Sequence, residues 1–447
     1  LKRLHSDVVG GRRMEVELTR DTINAPMAPG ASASSSKVVD VEWLAAEGAR
    51  LAGPGTPKRP LIAGGSGLLG NNVLVLLAKT PGVERIKVLD LLPPRAEVLA
   101  GLEDRVDFEQ FRFGTDSYDI LLASMQGTDC VFSVFTPHVQ LASREDFFTS
   151  NITGMEHLVR ACAEVGCRLV HVSSVAVSSH FKDSHNQDEN YPLPKMEEYL
   201  SPYDISKRKG ENVVLEASRS GKIVACSLRA GGIALSPYDF TFRNLFMVPG
   251  IVACPKGKPI DFIDGRDVAR AALLAAQALV VTPKDVVGEA FWVTGEPICP
   301  GDIGRIAAEF MGYPFFWVAP PIVKLAQAAF WIWHQIRRCC GCQLPGIPPS
   351  QFYDMVNYEL TFDNSKAARV LGFKVKVPLQ ESIVRIMNVY VHTSGASRGP
   401  GLALRLLAAS SIGLVLSVLV LARLLQPLAS RSAPRGQGQG LGRSKWS

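Results

Sequence analysis

The stretch PLIAGGSGLLG, residues 60–70, decides the fold of this chain. Its first four residues predict a short buried strand, and the glycines that follow predict a tight turn. The apolar run from Leu68 to Lys79 predicts a helix directly after that turn. A strand, a glycine turn and a helix in this order place the free N–H groups of the helix N-terminus where they bind the phosphates of a dinucleotide.

The three glycines of the turn are spaced so that each has a separate task. Gly64 permits the tight turn, Gly67 lets a pyrophosphate approach the backbone, and Gly70 permits close packing of the helix on the strand. Leu69 belongs to the same loop and is expected to contact the cofactor. A purely structural glycine turn is the alternative, and the flanking strand and helix favour the cofactor site.

Asp90 ends the second predicted strand, Ile86–Leu89, twenty residues after Gly70. A carboxylate at this place accepts hydrogen bonds from both hydroxyls of the adenosine ribose, and it repels a 2′-phosphate. The sequence therefore predicts NAD as the cofactor rather than NADP.

Further strands and helices alternate after Asp90. Cys130–Phe135 predicts a buried strand that ends at Thr136, Phe148–Val165 predicts a helix, and the strand that starts at Arg168 ends in Ser173 and Ser174. This alternation predicts parallel βαβ units and an α/β, Rossmann-type, doubly wound parallel sheet. Ligands bind beyond the carboxyl ends of such strands, where Ser174 can polarise a substrate oxygen. A serine that only caps local backbone is the alternative.

The motif SPYDISK, residues 201–207, predicts the start of a helix with Ser201 as its N-cap and Pro202 in its first turn. Tyr203 and Lys207 are four residues apart and therefore share one helix face. A lysine cation and a bound oxidised nicotinamide both favour the phenolate over the phenol. The pair predicts a general acid/base for a hydroxyl proton, and a chance spacing on a surface helix is the alternative.

Composition and charge limit the classes of function. The 447 residues suffice for one large α/β domain with appendages, and the net charge of +6 is uneven. From His392 onward there are seven basic residues and no acidic one, so the rest of the chain carries −1. That balance gives no support for nucleic-acid binding. The nine cysteines show no disulfide framework and predict reduced thiols, and no metal site is predicted.

The two ends of the chain and one internal segment differ from the central region. Residues 1–58 predict a disordered extension, with a short helix around Val41–Leu51. Residues 320–338 predict a Trp-bearing helix in a membrane interface, for which a buried helix is the alternative. Residues 402–425, which contain an uncharged run, predict a membrane anchor within a basic tail, 396–447, with a surface hairpin as the alternative.

Seven motifs occur in one order across roughly residues 60–390. Together they resemble the extended short-chain dehydrogenase/reductase family, and within it the 3β-hydroxysteroid dehydrogenase branch, which includes the decarboxylating sterol-4-carboxylate 3-dehydrogenases. The motifs are GGSGLLG (64–70), VSS (172–174), SPYDISK (201–207), LRAGGI (228–233), FIDGRDVARAALLAAQAL (262–279), GEAFWVTGEP (288–297) and FDNSKAARVLGF (362–373).

The resemblance implies roles for individual residues. Tyr203 would be the acid/base, Lys207 would tune it and hold the nicotinamide ribose, and Ser174 would polarise the substrate. Asn151, in the motif NITG, falls near the family's active site, and Thr136 lies at a strand end that contacts the cofactor. The implied reaction is NAD-dependent oxidation of a sterol or steroid 3β-hydroxyl to the ketone, and loss of a 4-carboxyl group would follow where the substrate carries one.

The same resemblance implies a domain plan and partners. An NAD-binding core of about 59–235 would precede a smaller substrate-binding region of about 236–395. The expected partners are a sterol or steroid, membrane lipid and a second copy in a homodimer. The expected location is the endoplasmic reticulum membrane, with the catalytic domain facing the cytosol. Two rival functions stay open: a nucleotide-sugar epimerase or dehydratase of the same fold, and a membrane-anchored NAD-binding sensor or scaffold without turnover.

Overall fold

Seven parallel strands form the central sheet of the protein. The computed structural model describes residues 38–139, 142–179, 182–199, 201–234, 236–237, 242, 251–339 and 357–394. Its strands are β1 (Pro60–Ala63), β2 (Ile86–Asp90), β3 (Val106–Gln110), β4 (Cys130–Ser133), β5 (Arg168–Ser174), β6 (Ser184–Gln187), β7 (Ala225–Ala230), β8 (Gly232–Ala234), β9 (Val252–Cys254), β10 (Ile260–Asp264), β11 (Ala290–Val293), β12 (Glu296–Ile298), β13 (Phe315–Trp317) and β14 (Leu360–Phe362).

The helices connect these strands and cover the sheet. They are α1 (Val41–Leu51), α2 (Leu68–Ala78), α3 (Ala96–Leu99), α4 (Tyr118–Ser124), α5 (Arg144–Phe148), α6 (Gly154–Val165), α7 (Pro202–Arg219), α8 (Gly265–Val281), α9 (Pro283–Val286), α10 (Pro300–Met311), α11 (Pro320–Cys339), α12 (Ser365–Leu371) and α13 (Leu379–Ser394). A π-helical turn, Thr149–Thr153, joins α5 to α6.

The strand order of the central sheet is β11-β7-β5-β4-β1-β2-β3, and every pair of neighbours is parallel. The chain runs outward from β1 in one direction and then returns to β4 on the other side of β1. A doubly wound sheet opens a crevice where its strand order reverses in this way. The Rossmann-type parallel fold predicted from the sequence is confirmed.

The helix that follows the glycine loop is buried almost all round. Every residue of α2 from Leu69 to Ala78 is buried, because α2 lies on the sheet and is itself covered by α1 and α8. Asn71 is one of its buried polar residues, and its side-chain amide donates to the carbonyls of Ser66 and Gly67, each over 2.8 Å. These bonds fix the glycine loop to the helix that it begins.

The prediction of disorder for the whole of residues 1–58 is wrong for the described part of that segment. Residues 41–51 form α1, as the shorter prediction within the segment expected, and Leu44 is fully buried. Asp40 and Glu47 accept hydrogen bonds from Arg266 and Arg270 of α8, each over 2.9 Å. These partners lie more than 200 positions along the chain, so the local composition of the segment could not reveal them.

The boundary expected near residue 235 does not separate the sheets. The second sheet has the order β12-β10-β14-β6, with β8 paired to β10. Strand β6 of this sheet comes from the expected NAD-binding core, whereas β11 of the central sheet comes from the expected substrate region. The two regions therefore interleave, because strand pairing joins segments that lie far apart in the chain.

The segment predicted to lie in a membrane interface is helical. It forms α11, and three of its apolar side chains, Leu325, Ile332 and Ile336, are each more than half exposed. Their spacings of seven and four place them on one face of the helix. Within the described ranges, no helix combines the length and the apolar character needed to cross a bilayer. The predicted anchor at 402–425 lies outside the described residues.

Candidate active site

The glycine loop has the geometry that its sequence predicted. Gly64 has a φ of +88°, and a Cβ there would lie 2.6 Å from the backbone of Phe135. At Gly70 a Cβ would lie 2.1 Å from the carbonyl oxygen of Gly64, so only glycine lets α2 pack this closely. Gly67 is exposed and caps α2 without any side-chain hydrogen bond. The first N–H groups of α2 thus face a surface that a pyrophosphate can approach.

Asp90 lies at the carboxyl end of β2, beside this loop. Its Oδ2 accepts a hydrogen bond from the backbone N–H of Ser66 over 2.8 Å, and its Oδ1 accepts one from Leu91 over 2.7 Å. Burial raises the pKa of Asp90, and these backbone donors partly oppose that rise. Each carboxylate oxygen has further lone pairs for a ribose hydroxyl. The residues of the loop and of β2 therefore fit the adenosine half of NAD.

The helix α7 begins as its sequence predicted. Ser201 is the N-cap, and its hydroxyl accepts a hydrogen bond from the backbone N–H of Tyr203 over 3.1 Å. Tyr203 forms a hydrogen bond with the hydroxyl of Ser174 at the end of β5, and its ring packs edge-on against Phe147. Lys207, one turn later, donates to the carbonyl of Val172 over 3.3 Å. The structure thus brings Ser174, Tyr203 and Lys207 together at the carboxyl edge of the sheet.

The protonation of this trio is governed by burial. Burial raises the pKa of Tyr203 to about 12, and the hydrogen bond with Ser174 only partly opposes this rise. Burial also lowers the pKa of Lys207 to about 8, although the nearby Glu211 carboxylate favours its charged form. The sequence predicted that Lys207 would favour the phenolate. In the polypeptide itself desolvation has the larger effect, so a further positive charge is needed to ionise Tyr203 near neutral pH.

Asn151 lies in the π-helical turn and connects three elements. Its side-chain nitrogen donates to the hydroxyl of Ser206 over 2.9 Å and contacts the Thr136 hydroxyl at 3.3 Å. The Ser206 hydroxyl in turn donates to the carbonyl of Tyr203 over 2.8 Å. Asn151 therefore links the segment that follows β4 to α7.

Two glycines allow neighbouring segments of the chain to pack closely against the π-helical turn. A Cβ on Gly210 of α7 would lie 2.4 Å from the carbonyl oxygen of Asn151. A Cβ on Gly114, which has a φ of +80°, would lie 2.0 Å from the carbonyl oxygen of Thr149. Because contacts this short do not occur between real atoms, Gly210 lets α7 approach Asn151, and Gly114 lets its own segment approach Thr149.

A buried ion pair fixes the other half of α7 to the sheet. Glu211 is fully buried, and both its oxygens accept hydrogen bonds from Arg229 of β7, at 2.9 and 3.0 Å. Ser227 donates to the same carboxylate over 2.9 Å, and the guanidinium of Arg229 lies 4.7 Å from the centre of the Trp292 ring. Removing one partner would leave a buried charge unpaired, so this pair holds α7 in register with the sheet.

Sequence reasoning missed several residues of this site. Ser206, Gly210, Glu211 and Arg229 were not assigned roles, although Ser206 stands inside the motif SPYDISK. The signal that could have identified them is helical spacing, because Ser206 and Gly210 are three and seven residues after Tyr203. Their partners lie on β7 and in the π-helical turn. These segments are distant from α7 in sequence or contact it only in the folded chain, so spacing alone does not reveal the partners.

Residues 60–287, just over half of the chain, match the NAD dependent epimerase/dehydratase family. The matched segment contains the glycine loop, Asp90 and the trio at the start of α7. The chain belongs to this family. The predicted use of NAD and the predicted resemblance to the extended short-chain dehydrogenases are thereby confirmed.

Curated relatives within the family point to sterols. The chain is 27% identical over 367 residues to 3beta-hydroxysteroid-dehydrogenase/decarboxylase isoform 1 of Arabidopsis thaliana, a match that covers 74% of this chain and 79% of that protein. It is 25% identical over 343 residues to the decarboxylating sterol-4-alpha-carboxylate 3-dehydrogenase ERG26 of Saccharomyces cerevisiae, with coverage of 72% and 95%.

Solved structures of the family share the fold. The dTDP-glucose 4,6-dehydratase DesIV of Streptomyces venezuelae, with NAD and TYD bound, superimposes with a TM-score of 0.56 at 19% identity. That match covers 76% of this chain and 98% of DesIV. At this identity the likeness shows the fold of the NAD dependent epimerase/dehydratase family and does not decide the substrate.

Proposed function

We propose that this member of the family oxidises the 3β-hydroxyl of a sterol or steroid to the 3-ketone with NAD, and that a 4-carboxyl group on the substrate is then lost as CO₂. One observation carries the proposal: Ser174, Tyr203 and Lys207 are adjacent at the carboxyl edge of a sheet whose glycine loop and Asp90 fit NAD. The names of the relatives from Arabidopsis and yeast supply the substrate class.

The roles of the three side chains follow from their contacts. Ser174 donates to the substrate oxygen and orients it, while the Tyr203 phenolate accepts the hydroxyl proton. Lys207, whose ammonium lies one turn away, stabilises that phenolate and is placed to hold the nicotinamide ribose. NAD, when bound, accepts the hydride from C3 and contributes positive charge. Holding the hydroxyl in line between these groups supplies much of the rate.

The loss of CO₂ needs little additional machinery. A 3-ketone with a 4-carboxylate is a β-keto acid, so the bond from C4 to the carboxyl carbon can break with release of CO₂. Its electron pair forms a double bond between C3 and C4, and the π pair of the carbonyl moves to the ketone oxygen. Tyr203, protonated by the first step, and Ser174 are then two hydroxyl donors for the developing enolate oxygen. Protonation at C4 completes the product.

We infer a membrane location from two segments. The exposed apolar face of α11, formed by Leu325, Ile332 and Ile336, suits a helix that lies in a bilayer interface. The segment Leu406–Ala422 has no charged residue and is flanked by Arg405 and Arg423, as suits an anchor. A lipid-soluble substrate accords with this location, for which the endoplasmic reticulum membrane, with a cytosolic catalytic domain, is our proposal.

Substrate profiling tests the reaction. The purified protein is mixed with NAD and a panel of 3β-hydroxysterols that differ in the presence of a 4-carboxyl group, and NADH and CO₂ are measured. We expect NADH from the sterols, CO₂ from the carboxylated ones alone, and neither product with Tyr203→Phe. If none of the sterols in the panel yields NADH, the proposal is overturned. Nucleotide sugars, including dTDP-glucose, test the epimerase or dehydratase alternative that shares this fold. Their conversion is followed by analysis of the sugar product, because these reactions form no net NADH.

Sedimentation with phospholipid vesicles tests the membrane segments. We expect a chain that ends at Pro400 to bind more weakly than the full chain, and Leu325→Glu with Ile332→Glu to weaken binding further. Lys324→Gln is the matched control, because Lys324 is exposed on the same helix but away from the apolar face. Undiminished sedimentation of all variants would contradict both assignments. Light scattering of the detergent-solubilised protein tests the proposed homodimer.

A further inference from the structure

A buried cavity lies beside Lys207, between α7, the π-helical turn and the central sheet. No part of this cavity is wide enough to hold a water molecule. Among the lining residues are Asn151, His171, Ser206 and Lys207. Two polar atoms, Asn151 Oδ1 and His171 Nε2, are buried and make no hydrogen bond within the described part of the chain.

His171 has no assigned role, yet its ring is 3% exposed and faces the catalytic helix. A buried polar atom without a hydrogen bond destabilises the folded state, so the unpaired nitrogen calls for an explanation. Since water does not fit, the partner must come from the lining itself. Lys207 is the suitable donor, because an ammonium has three N–H groups and the bond with Val172 uses one of them.

The second ring nitrogen has a partner that is compatible with the tautomer that this pairing needs. His171 Nδ1 lies 3.4 Å from the hydroxyl oxygen of Ser133, the residue paired with it on the neighbouring strand β4. When Nδ1–H donates to Ser133, Nε2 carries a lone pair. Burial, and to a lesser extent the charge of Lys207, lower the pKa of His171 well below its usual range. The imidazole is therefore neutral and can accept a hydrogen bond.

We propose that His171 is a positioning residue for the oxidation: its Nε2 accepts a hydrogen bond from the Lys207 ammonium, and Ser133 holds the ring in the required tautomer. The two side chains line the same cavity, and the charge of Lys207 acts on His171. The inference rests on the proposed function of Lys207 and extends it to a residue on β5. The contact gives the Lys207 ammonium a second hydrogen bond, which restrains its position relative to Tyr203.

The charges around the cavity decide the direction of the effect. Lys207 is the charged group on its lining, and Glu211 lies one helical turn beyond it. Glu211 is paired with Arg229 and lies 3.8 Å from Arg208. An acceptor at His171 stabilises the ammonium form of Lys207. The contact should therefore raise the pKa of Lys207, which burial lowers to about 8, and removing the acceptor should reverse that rise.

Two amide variants test the proposal. His171→Gln places an acceptor near the position of Nε2, whereas His171→Asn keeps a polar group towards Ser133 and does not reach Lys207. The pH dependence of NAD binding to the full chain is measured by fluorescence titration, which requires no sterol. We expect His171→Asn to lose affinity at a pH about one unit lower than wild type, and His171→Gln to restore the wild-type profile. The alkaline limb of kcat/KM should shift in the same way.

A double-mutant cycle and a matched pair of serine variants sharpen the test. Adding His171→Asn to Lys207→Met should cause no further loss of NAD affinity at alkaline pH. Ser133→Ala should give part of the shift. Ser124→Ala should give none, because Ser124 is equally buried but bonds only to Ile120 of its own helix. Thermal unfolding of every variant verifies that it is folded.

Equal shifts in His171→Asn and His171→Gln would mean that the ring only fills space, and that result would overturn the proposal. A wild-type profile in His171→Asn would do the same. Failure of the proposed function is a separate result: wild-type protein would then oxidise no sterol, while the NAD-binding profiles would still decide the role of His171.

Discussion

The side-chain nitrogen of Asn151 lies 2.9 Å from the hydroxyl oxygen of Ser206, and this one hydrogen bond connects the π-helical turn to the catalytic helix. Ser206 passes the constraint on, because its hydroxyl donates to the carbonyl of Tyr203 in the first turn of α7. The position of Tyr203, the proposed acid/base, therefore depends on a residue that lies 55 positions before Ser206.

Ser206→Ala should weaken catalysis through this link. The buried amide of Asn151 would lose the shorter of its two hydrogen bonds and keep the one to Thr136. We expect this to cost about 1 kcal/mol and to leave the first turn of α7 less firmly placed. We expect kcat to fall about tenfold while the KM for NAD changes little. Steady-state kinetics with NAD and a 3β-hydroxysterol measure this, with Ser124→Ala as the control. Unchanged kcat would show that the link does not position Tyr203.

Lys207→Met should remove the charge that stabilises the Tyr203 phenolate. We expect kcat/KM to fall by about 10²–10⁴. In the wild type, activity should rise with pH as Tyr203 ionises and then decline as Lys207, with its pKa of about 8, loses its proton. The decline above about pH 8 should be absent in Lys207→Met. A variant that retains this alkaline limb would assign the limb to another group.

Asp90→Ala should reduce the preference for NAD over NADP. The variant loses the carboxylate that would bind the ribose hydroxyls and repel a 2′-phosphate. It also loses the hydrogen bond from Ser66 that steadies the glycine loop. We expect about tenfold weaker NAD binding and a smaller ratio of the two dissociation constants, measured by calorimetry. Asp90→Asn is the control that keeps the acceptor for Ser66. An unchanged ratio in both variants would refute the role of Asp90.

Gly210→Ala should disturb the site by steric pressure alone. The added methyl group would lie 2.4 Å from the carbonyl oxygen of Asn151, so either α7 or the π-helical turn must shift. We expect a loss of stability of about 1–3 kcal/mol and a fall in kcat. Gly53→Ala is the control, because a Cβ at Gly53 would meet nothing closer than 3.9 Å. Gly221→Ala is unsuitable, because Gly221 has a positive φ. Full activity with Gly210→Ala would show that the close approach is not needed.

Asp261→Asn should change the pH dependence of stability. Burial raises the pKa of Asp261 from 3.8 to about 7 in the folded chain, so the folded state binds more protons than the unfolded state between these values. Wild-type stability is therefore lost as the pH rises from about 4 to 7. Asparagine keeps an acceptor for the backbone N–H of Phe362. We therefore expect the Tm of the variant to rise relative to that of the wild type as the pH increases from about 4 to 7. A difference in Tm that does not change with pH would contradict the raised pKa of Asp261.

Much of the cofactor site could be predicted from the sequence, because it is encoded locally. The glycines at 64, 67 and 70 fix a turn within seven residues, and Asp90 follows at the end of the next strand. Tyr203 and Lys207 share a helix face by their spacing of four. Such short-range geometry follows from strand and helix periods, so it is readable before any tertiary contact is known.

The tertiary structure decided everything that depends on contacts between distant segments. Glu211 meets Arg229, β11 joins the central sheet, and residues 41–51 become an ordered helix through ion pairs with α8. Desolvation, which raises the pKa of Tyr203 and lowers that of Lys207, likewise arises only when the chain surrounds these groups. The sequence by itself determined the chemical groups and their local spacing. Packing determined their charge states and partners, because burial and long-range pairing are properties of the folded chain as a whole.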